Sequence, residues 1–285
     1  MILTLTLNPS LDRTIEIASL DRGAVIRAAA ARLDPGGKGV NVSRALLANA
    51  VASRAVVPFG GDEGRQLVRL LTLEGLDMVT VPVTGTTRSN VTLAEPDGTI
   101  TKINEPGIAL SPGELDTIAD TVLAAAHEAD WVVASGSLPP QVPADVYARL
   151  CRRFAGAGIH VAVDTSGPAL ASTLTAAPAL VKPNLDELAD ATGMPIRCVG
   201  DVVEAAGKLR AAGARTVGAG DAMLAGFLAG GASGEKALVE ALAWGAAAVC
   251  LPGSRMPGPA DIRRDGVRTG PPLLTRSLEA PADPT

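Results

Sequence analysis

Trp131-Val132-Val133-Ala134, then Ser135-Gly136-Ser137-Leu138-Pro139-Pro140, then an amphipathic segment over 143–157, then Ile159 to Val163: this run decides the fold. Two short β-branched stretches flank a segment whose apolar residues recur at the helical period. A unit of this kind lays its strands parallel and crosses over one face in the right-handed sense. The same alternation extends outward in both directions. Arg54 to Phe59, Asp77 to Val83 and Ala179 to Val181 read as further strands, with helical segments at 62–74, 111–127 and 184–193. The expectation is an α/β fold: a doubly wound, mostly parallel sheet with helices on both faces.

Two stretches break the pattern. Residues 9–32 and 85–105 carry Thr14-Ile15-Glu16-Ile17, Ser89-Asn90-Val91-Thr92-Leu93 and Thr99-Ile100-Thr101-Lys102-Ile103, polar-apolar alternations with a turn at Glu95-Pro96-Asp97-Gly98-Thr99. Strands buried on one face only predict a small antiparallel β lid beside the main sheet. The core would then comprise residues 1–8, 33–84 and 106–285. A flap over a cleft and a dimer contact are both uses for such a lid.

Composition narrows the function. Hydrophobic residues make up 47% of the 285, yet Phe, Trp and Tyr supply only 2%, so Ala, Val and Leu must form the core. With 25 Lys and Arg against 30 Asp and Glu, the net charge of −5 offers no basic field for nucleic acid, and six aromatics build no base-stacking platform. His127 and His160 stand apart, and Cys151, Cys198 and Cys250 are widely spaced, which speaks for buried free thiols rather than zinc or disulfides. The start, Met1-Ile2-Leu3-Thr4-Leu5-Thr6-Leu7, alternates like a strand and lacks the basic region of a signal peptide; the longest apolar run, Ala241 to Leu251, is too short to span a bilayer. A cytoplasmic protein is expected, with a loop-like, frayed tail after Leu251.

Four segments carry chemistry. Pro35-Gly36-Gly37-Lys38-Gly39-Val40-Asn41 opens a helix with a backbone that a ligand can approach closely, a helix N-terminus and a mobile cation, although such a run also serves as a plain tight turn. Its spacing is not that of a P-loop. Thr216-Val217-Gly218-Ala219-Gly220-Asp221 is a second Gly-rich turn at a helix start, suited to stabilising an anion; Asp221 is either a helix cap or a general base for a substrate hydroxyl. In Lys182-Pro183-Asn184-Leu185-Asp186-Glu187, Asn184 and Glu187 share one side of a first helical turn. They either cap the helix or face a hydrated magnesium ion. Ser135-Gly136-Ser137-Leu138-Pro139 follows a strand's C-terminal end, where a doubly wound sheet places its ligands.

Taken together, these segments resemble the ribokinase-like (PfkB) sugar kinases. The likeness runs from Asn8-Pro9-Ser10-Leu11-Asp12 through GGKGxN, Arg88-Ser89-Asn90-Val91-Thr92, Lys102-Ile103-Asn104-Glu105-Pro106-Gly107, SGSLP and KPNxxE to TxGAGD. It points to the branch containing 1-phosphofructokinases and tagatose-6-phosphate kinases. The resemblance implies ATP-dependent phosphorylation of a ketohexose phosphate, foremost fructose 1-phosphate on its 6-hydroxyl, with tagatose 6-phosphate and fructose 6-phosphate as alternatives. It implies Asp221 as base, with Gly218, Ala219 and Gly220 as the anion hole. Asp12, Gly36, Gly37 and Asn41 would hold the sugar. Lys38, Arg88, Asn90 and Arg27 would meet its phosphate, with Ser137 and Lys102 lining the same pocket. Lys182, Asn184 and Glu187 would face the ATP phosphates and Mg²⁺, the last two through water. A homodimer through the lid is implied as well.

One departure stands out. After the helix Asp201 to Ala212, Gly213-Ala214-Arg215 runs straight into Thr216-Val217-Gly218, where an alternating chain should return through another strand. A sheet strand is therefore expected to be missing near 215/216. From a different functional class, this leaves an inactive sugar-phosphate-binding remnant without its nucleotide segment as an alternative.

Overall fold

The computed structural model describes residues 1–218, 220–251 and 255–278. In chain order the strands are β1 (Ile2–Thr6), β2 (Ser10–Glu16), β3 (Ala30–Gly36), β4 (Ser53–Phe59), β5 (Met78–Pro82), β6 (Arg88–Ala94), β7 (Ile100–Asn104), β8 (Trp131–Ser135), β9 (His160–Asp164) and β10 (Leu180–Val181). The α-helices are α1 (Lys38–Ala48), α2 (Gly61–Leu73), α3 (Pro112–Ala125), α4 (Val146–Ala155), α5 (Gly167–Leu174), α6 (Leu185–Thr192), α7 (Val199–Ala211), α8 (Asp221–Ala229) and α9 (Gly234–Val249).

Six strands form a parallel sheet in the order β10-β9-β8-β1-β4-β5. All five β1 residues are buried, as a central strand covered on both faces requires. Alternation along the strands divides two cores. Leu3, Leu5, Val132, Val161 and Val163 pack with Ile118, Tyr147 and Phe154 of α3 and α4 on one face. On the other, Ile2, Val133, Ala162 and Leu180 pack with Leu46, Leu224 and Trp244 of α1, α8 and α9. The chain leaves β1 toward β4 on one side and β8 on the other, so the cleft beyond the C-terminal ends of β1 and β8 is the switch point of the sheet.

The second sheet has the order β3-β2-β6-β7. Its outer pairings are antiparallel as expected, but β2 and β6 run parallel. Long excursions through the main domain separate these two strands, so no hairpin constrains their relative direction.

At the junction after α7, residues 215–218 do more than connect. Arg215 N donates to Pro178 O at 3.1 Å, Val181 N to Thr216 O at 2.9 Å and Gly218 N to Val181 O at 2.9 Å. One parallel bridge, Val181 to Val217, stands where a seventh strand would continue the sheet.

Two local expectations change. Cys151, Cys198 and Cys250 are all free, but only Cys151 is buried. The tail is loop over 255–278, as expected, but it is tethered there rather than frayed: Val199 N donates to Arg276 O at 3.0 Å, Gly200 N to Leu274 O at 2.7 Å and Leu278 N to Arg197 O at 2.8 Å, while most of its side chains stay exposed; 279–285 lie outside the described residues. Ile262 enters the core, Arg264 pairs with Glu240 at 2.6 Å, and Ser277 bridges to Cys198. A tail carrying one apolar anchor and a charged partner can dock despite its Pro and Gly content.

Candidate active site

The C-terminal edge of the parallel sheet carries a polar row. Thr6 is in register with Ser135, and Ser135 with Asp164. Lys182 follows β10 directly. Register places these side chains on one face of the sheet, the face covered by α1 and α8. Both helices begin over the row. Lys38 is the first residue of α1 and Asp221 the first of α8.

These side chains form a connected chain of charges. Lys38 Nζ donates to Asp164 Oδ1 at 2.7 Å and to Glu187 Oε1 at 3.2 Å. Lys182 Nζ lies 3.1 Å from Asp164 Oδ2 and 3.6 Å from Asp221 Oδ1. Asn41 Nδ2, one turn into α1, donates to Asp221 Oδ2 at 3.4 Å. The Asp164 side chain is 0% exposed, and burial pushes its carboxyl up to about 6; nearby Asp221 adds to the rise while Lys182 and Lys38 oppose it. For Lys38, burial lowers the ammonium pKa, but Asp164 and Glu187 together outweigh it and leave the group above its ordinary value.

A second cluster lies on the lid sheet, joined to the first along the chain by Gly36 and Gly37, which lead from β3 to Lys38. Asp12 and Asn90 are register partners across β2 and β6, and Ser10 and Arg88 are another pair. Asp12 Oδ1 accepts from Asn90 Nδ2 at 2.9 Å and from Ser10 Oγ at 2.7 Å. Gly36 is required here, because a Cβ on it would meet Asp12 Oδ2 at 2.3 Å. Gly37, the N-cap of α1, holds φ at +115°, which a residue with a side chain rarely adopts. Arg88 donates to Asn8 O at 3.0 Å and Glu105 O at 3.2 Å, and burial holds its guanidinium below the usual arginine value against the pull of Asp12 and Glu105. Asn8 in turn donates to Pro106 O and to Ser137 Oγ.

Several buried polar atoms in these clusters have no hydrogen-bond partner among the described residues: Asn41 Oδ1, Asn90 Oδ1, Arg88 Nε, Ser135 Oγ and Asp164 Oδ2, the last of which meets Lys182 only as an ion pair. Such atoms are costly to leave unmatched, and two acceptors with a guanidinium donor suit a polyhydroxylated, anionic ligand. From Asp221 and Asn41 a groove of about 720 Å³ runs past Met223, Gly245 and Ala248 to Arg255. A larger depression of about 1090 Å³, lined by Thr84, Gly107, Glu114 and Arg149, holds none of the clustered charges.

Not every residue singled out in the sequence arrives here. Arg27 is exposed in the loop between β2 and β3, and Lys102 is exposed on β7. Lys38 stands with Asp164 and Glu187 rather than with Arg88. Gly218 has given its N–H to Val181, Gly220 caps α8, and Ala219 lies outside the described residues. Asn184 and Glu187 complete a reciprocal capping box, Asn184 Oδ1 accepting from Glu187 N and Glu187 Oε2 from Asn184 N. Asn184 Oδ1 and both Glu187 oxygens are thus engaged. Among the described residues no group of three or more His, Cys, Asp or Glu could hold a metal. The donor set does not fit a resident, directly ligated ion. Asp164 went unread in the sequence, although it ends β9 at the ligand-binding edge, a position that marks such residues; Ser135, which ends β8, was read only as part of the segment that follows that strand.

Residues 5–217 match the model of the pfkB family carbohydrate kinases, about three quarters of the chain. The chain belongs to that family. The match stops one residue before Gly218, so Gly218, Ala219, Gly220 and Asp221 of the second Gly-rich turn lie beyond it. This family member is 40% identical over 230 residues to 1-phosphofructokinase from Rhodobacter capsulatus, covering 78% of this chain and 72% of the relative. It is 34% identical to 1-phosphofructokinase from Haloferax volcanii over 300 aligned positions, 92% of this chain and 95% of the relative. That alignment is longer than the 285-residue chain, so the relative contributes residues that have no counterpart here. Among solved structures, phosphofructokinase-2 from Escherichia coli superposes with a TM-score of 0.83 at 30% identity, covering 91% of this chain and 96% of that one.

Proposed function

We propose that this kinase transfers the γ-phosphoryl group of ATP to the 6-hydroxyl of fructose 1-phosphate, releasing ADP and fructose 1,6-bisphosphate. The observation that carries the reading is the placement of Asp221. It stands at the start of α8, where the chain of charges and the 720 Å³ groove meet, with its carboxylate held between Asn41 and Lys182. Asp12, Asn41 and Asn90 take the sugar hydroxyls, and Arg88 takes the phosphate that the sugar already carries. The groove takes the nucleotide. Asp221 accepts the hydroxyl proton as the sugar oxygen bonds to phosphorus, and the bond from the γ-phosphorus to the ADP oxygen breaks. The free N–H groups of the first turn of α8, with Lys38 and Lys182, face the charge on the moving phosphoryl. Mg²⁺ would enter as part of the nucleotide substrate and would neutralise part of the charge on its phosphates.

The test is an ADP-release assay on the purified chain with fructose 1-phosphate, fructose 6-phosphate and tagatose 6-phosphate in parallel. Highest kcat/KM with fructose 1-phosphate is expected. Preference for another sugar would move the specificity within the family. The junction at 213–218 favours a second reading, an inactive sugar-phosphate-binding remnant; absence of turnover with all three, from a folded chain, would select it. The reading further includes a cytoplasmic homodimer joined through the lid. The free edge strand β7 exposes Ile100 and Ile103, and no helix among the described residues is long and apolar enough to cross a membrane.

A further inference from the structure

The centre of the charge chain is a residue with no role in the reading above. Asp164 is fully buried, yet its two oxygens face the two lysines: Oδ1 accepts from Lys38 at 2.7 Å, and Oδ2 forms an ion pair with Lys182 at 3.1 Å without a hydrogen bond. The lysines differ in freedom: the Lys182 side chain is 5% exposed and the Lys38 side chain 32%. Lys38 is also poorly placed for its own helix. It opens α1, whose first turn contains no acidic residue, so its charge adds to the positive end of the helix dipole. Asp164 and Glu187 supply the compensation that the helix lacks.

The cluster sets two lysines against three carboxylates, Asp164, Glu187 and Asp221. An entering phosphate must compete with these carboxylates for the same ammonium groups. Ser135 Oγ, buried without a partner and in register beside Asp164, offers a donor to that carboxylate once a lysine leaves it.

We propose that Asp164 is a positioning residue that acts as an internal stand-in anion: it keeps Lys38 and Lys182 aimed at the transfer site and yields Lys38 to the incoming phosphate. The carboxylate therefore weakens anion binding and raises turnover. A residue serving stability alone would do neither in this combination. Only the identity of the moving anion rests on the phosphoryl-transfer reading.

The experiment measures inorganic phosphate and ADP affinity by titration calorimetry, beside kcat, in Asp164→Asn. Anion affinity is expected to rise about tenfold while kcat falls at least about a hundredfold, because the lysines lose both their competitor and their aim. Adding Lys38→Met should return the affinity to the wild-type level or below. Unchanged or weaker anion binding by folded Asp164→Asn, or a gain that survives Lys38→Met, overturns the proposal. If Asp164→Asn does not fold, Asp164→Glu replaces it. That variant keeps the charge and shifts its position, so wild-type anion affinity with kcat lowered at least about tenfold is expected, and full kcat refutes the proposal. If the wild type turns over no ketohexose phosphate, the proposed function fails by itself, and the calorimetric comparison still decides the role of Asp164.

Discussion

Asp221 opens α8 on the core and Arg88 opens β6 on the lid sheet, and their substitutions should separate in kinetics. Asp221→Asn keeps the shape and the hydrogen bond from Asn41 but has no basic carboxylate. Turnover should fall about 10³-fold, while sugar-phosphate affinity by calorimetry stays within a few fold. Wild-type turnover would remove Asp221 from the chemistry. Arg88→Ala should act mainly on KM for the phosphorylated sugar, raising it at least about tenfold, because the buried guanidinium presents an unmatched Nε. An unchanged KM would place the substrate's phosphate elsewhere. Gly36 and Gly37 were legible in the sequence because the tight backbone demands glycine, whereas Asn41 was reached only through the resemblance and Lys38 was expected beside Arg88. Asp164 was not legible, since a lone aspartate after a β-branched run looks like any strand end until Lys38 and Lys182 close on it.

Capping shows how far local sequence reaches at the scale of elements. Asn184 and Glu187 close the N-terminus of α6 as their spacing permits, and Ser111 with Glu114 does the same for α3. Glu114 reaches further: Oε1 accepts from Thr84 N at 2.6 Å, tying α3 to the loop after β5, and Oε2 takes the Ser111 N–H and hydroxyl. These bonds, that from the Ser111 hydroxyl foremost, hold its carboxyl down to about 2 from 4.5. The stabilisation is fully present above pH 4.5 and is lost as pH falls toward 2. Because the group is exposed, Glu114→Gln should cost only about 0.5–1 kcal/mol at pH 7, with the difference from wild type vanishing near pH 2 in denaturant titrations. Equal losses at both pH values would mean that charge plays no part. The lid supplies the other prediction at this scale. Ile103→Glu places a charge on the exposed edge strand and should convert a dimer to monomers by sedimentation velocity; an unaltered dimer would move the interface off β7.

For the molecule as a whole, the junction at 213–218 matters most. The sheet ends in a two-residue strand and a single bridge, so few hydrogen bonds protect its edge beside Asp221. Ligands that bind the folded state should make up part of the deficit. Fructose 1-phosphate at a hundred times its Kd would add about 2.7 kcal/mol and raise Tm by a few degrees, and ATP should do the same through the groove. A rise with the sugar phosphate and none with ATP would show that the shortened junction has cost the nucleotide site.

The amino-acid sequence by itself determined the alternation of strands and helices, the Gly-rich turns and the family, because each rests on hydrophobic period, backbone freedom or a contiguous motif. Only the tertiary structure decided the rest. It decided that β2 and β6 run parallel, that Lys38 turns to Asp164 and away from Arg88, and that the tail anchors through Ile262 and through backbone bonds to Arg197, Val199 and Gly200. These are contacts between residues far apart in the chain. Their geometry is set by how the sheets and helices pack, and no local stretch of sequence carries that information.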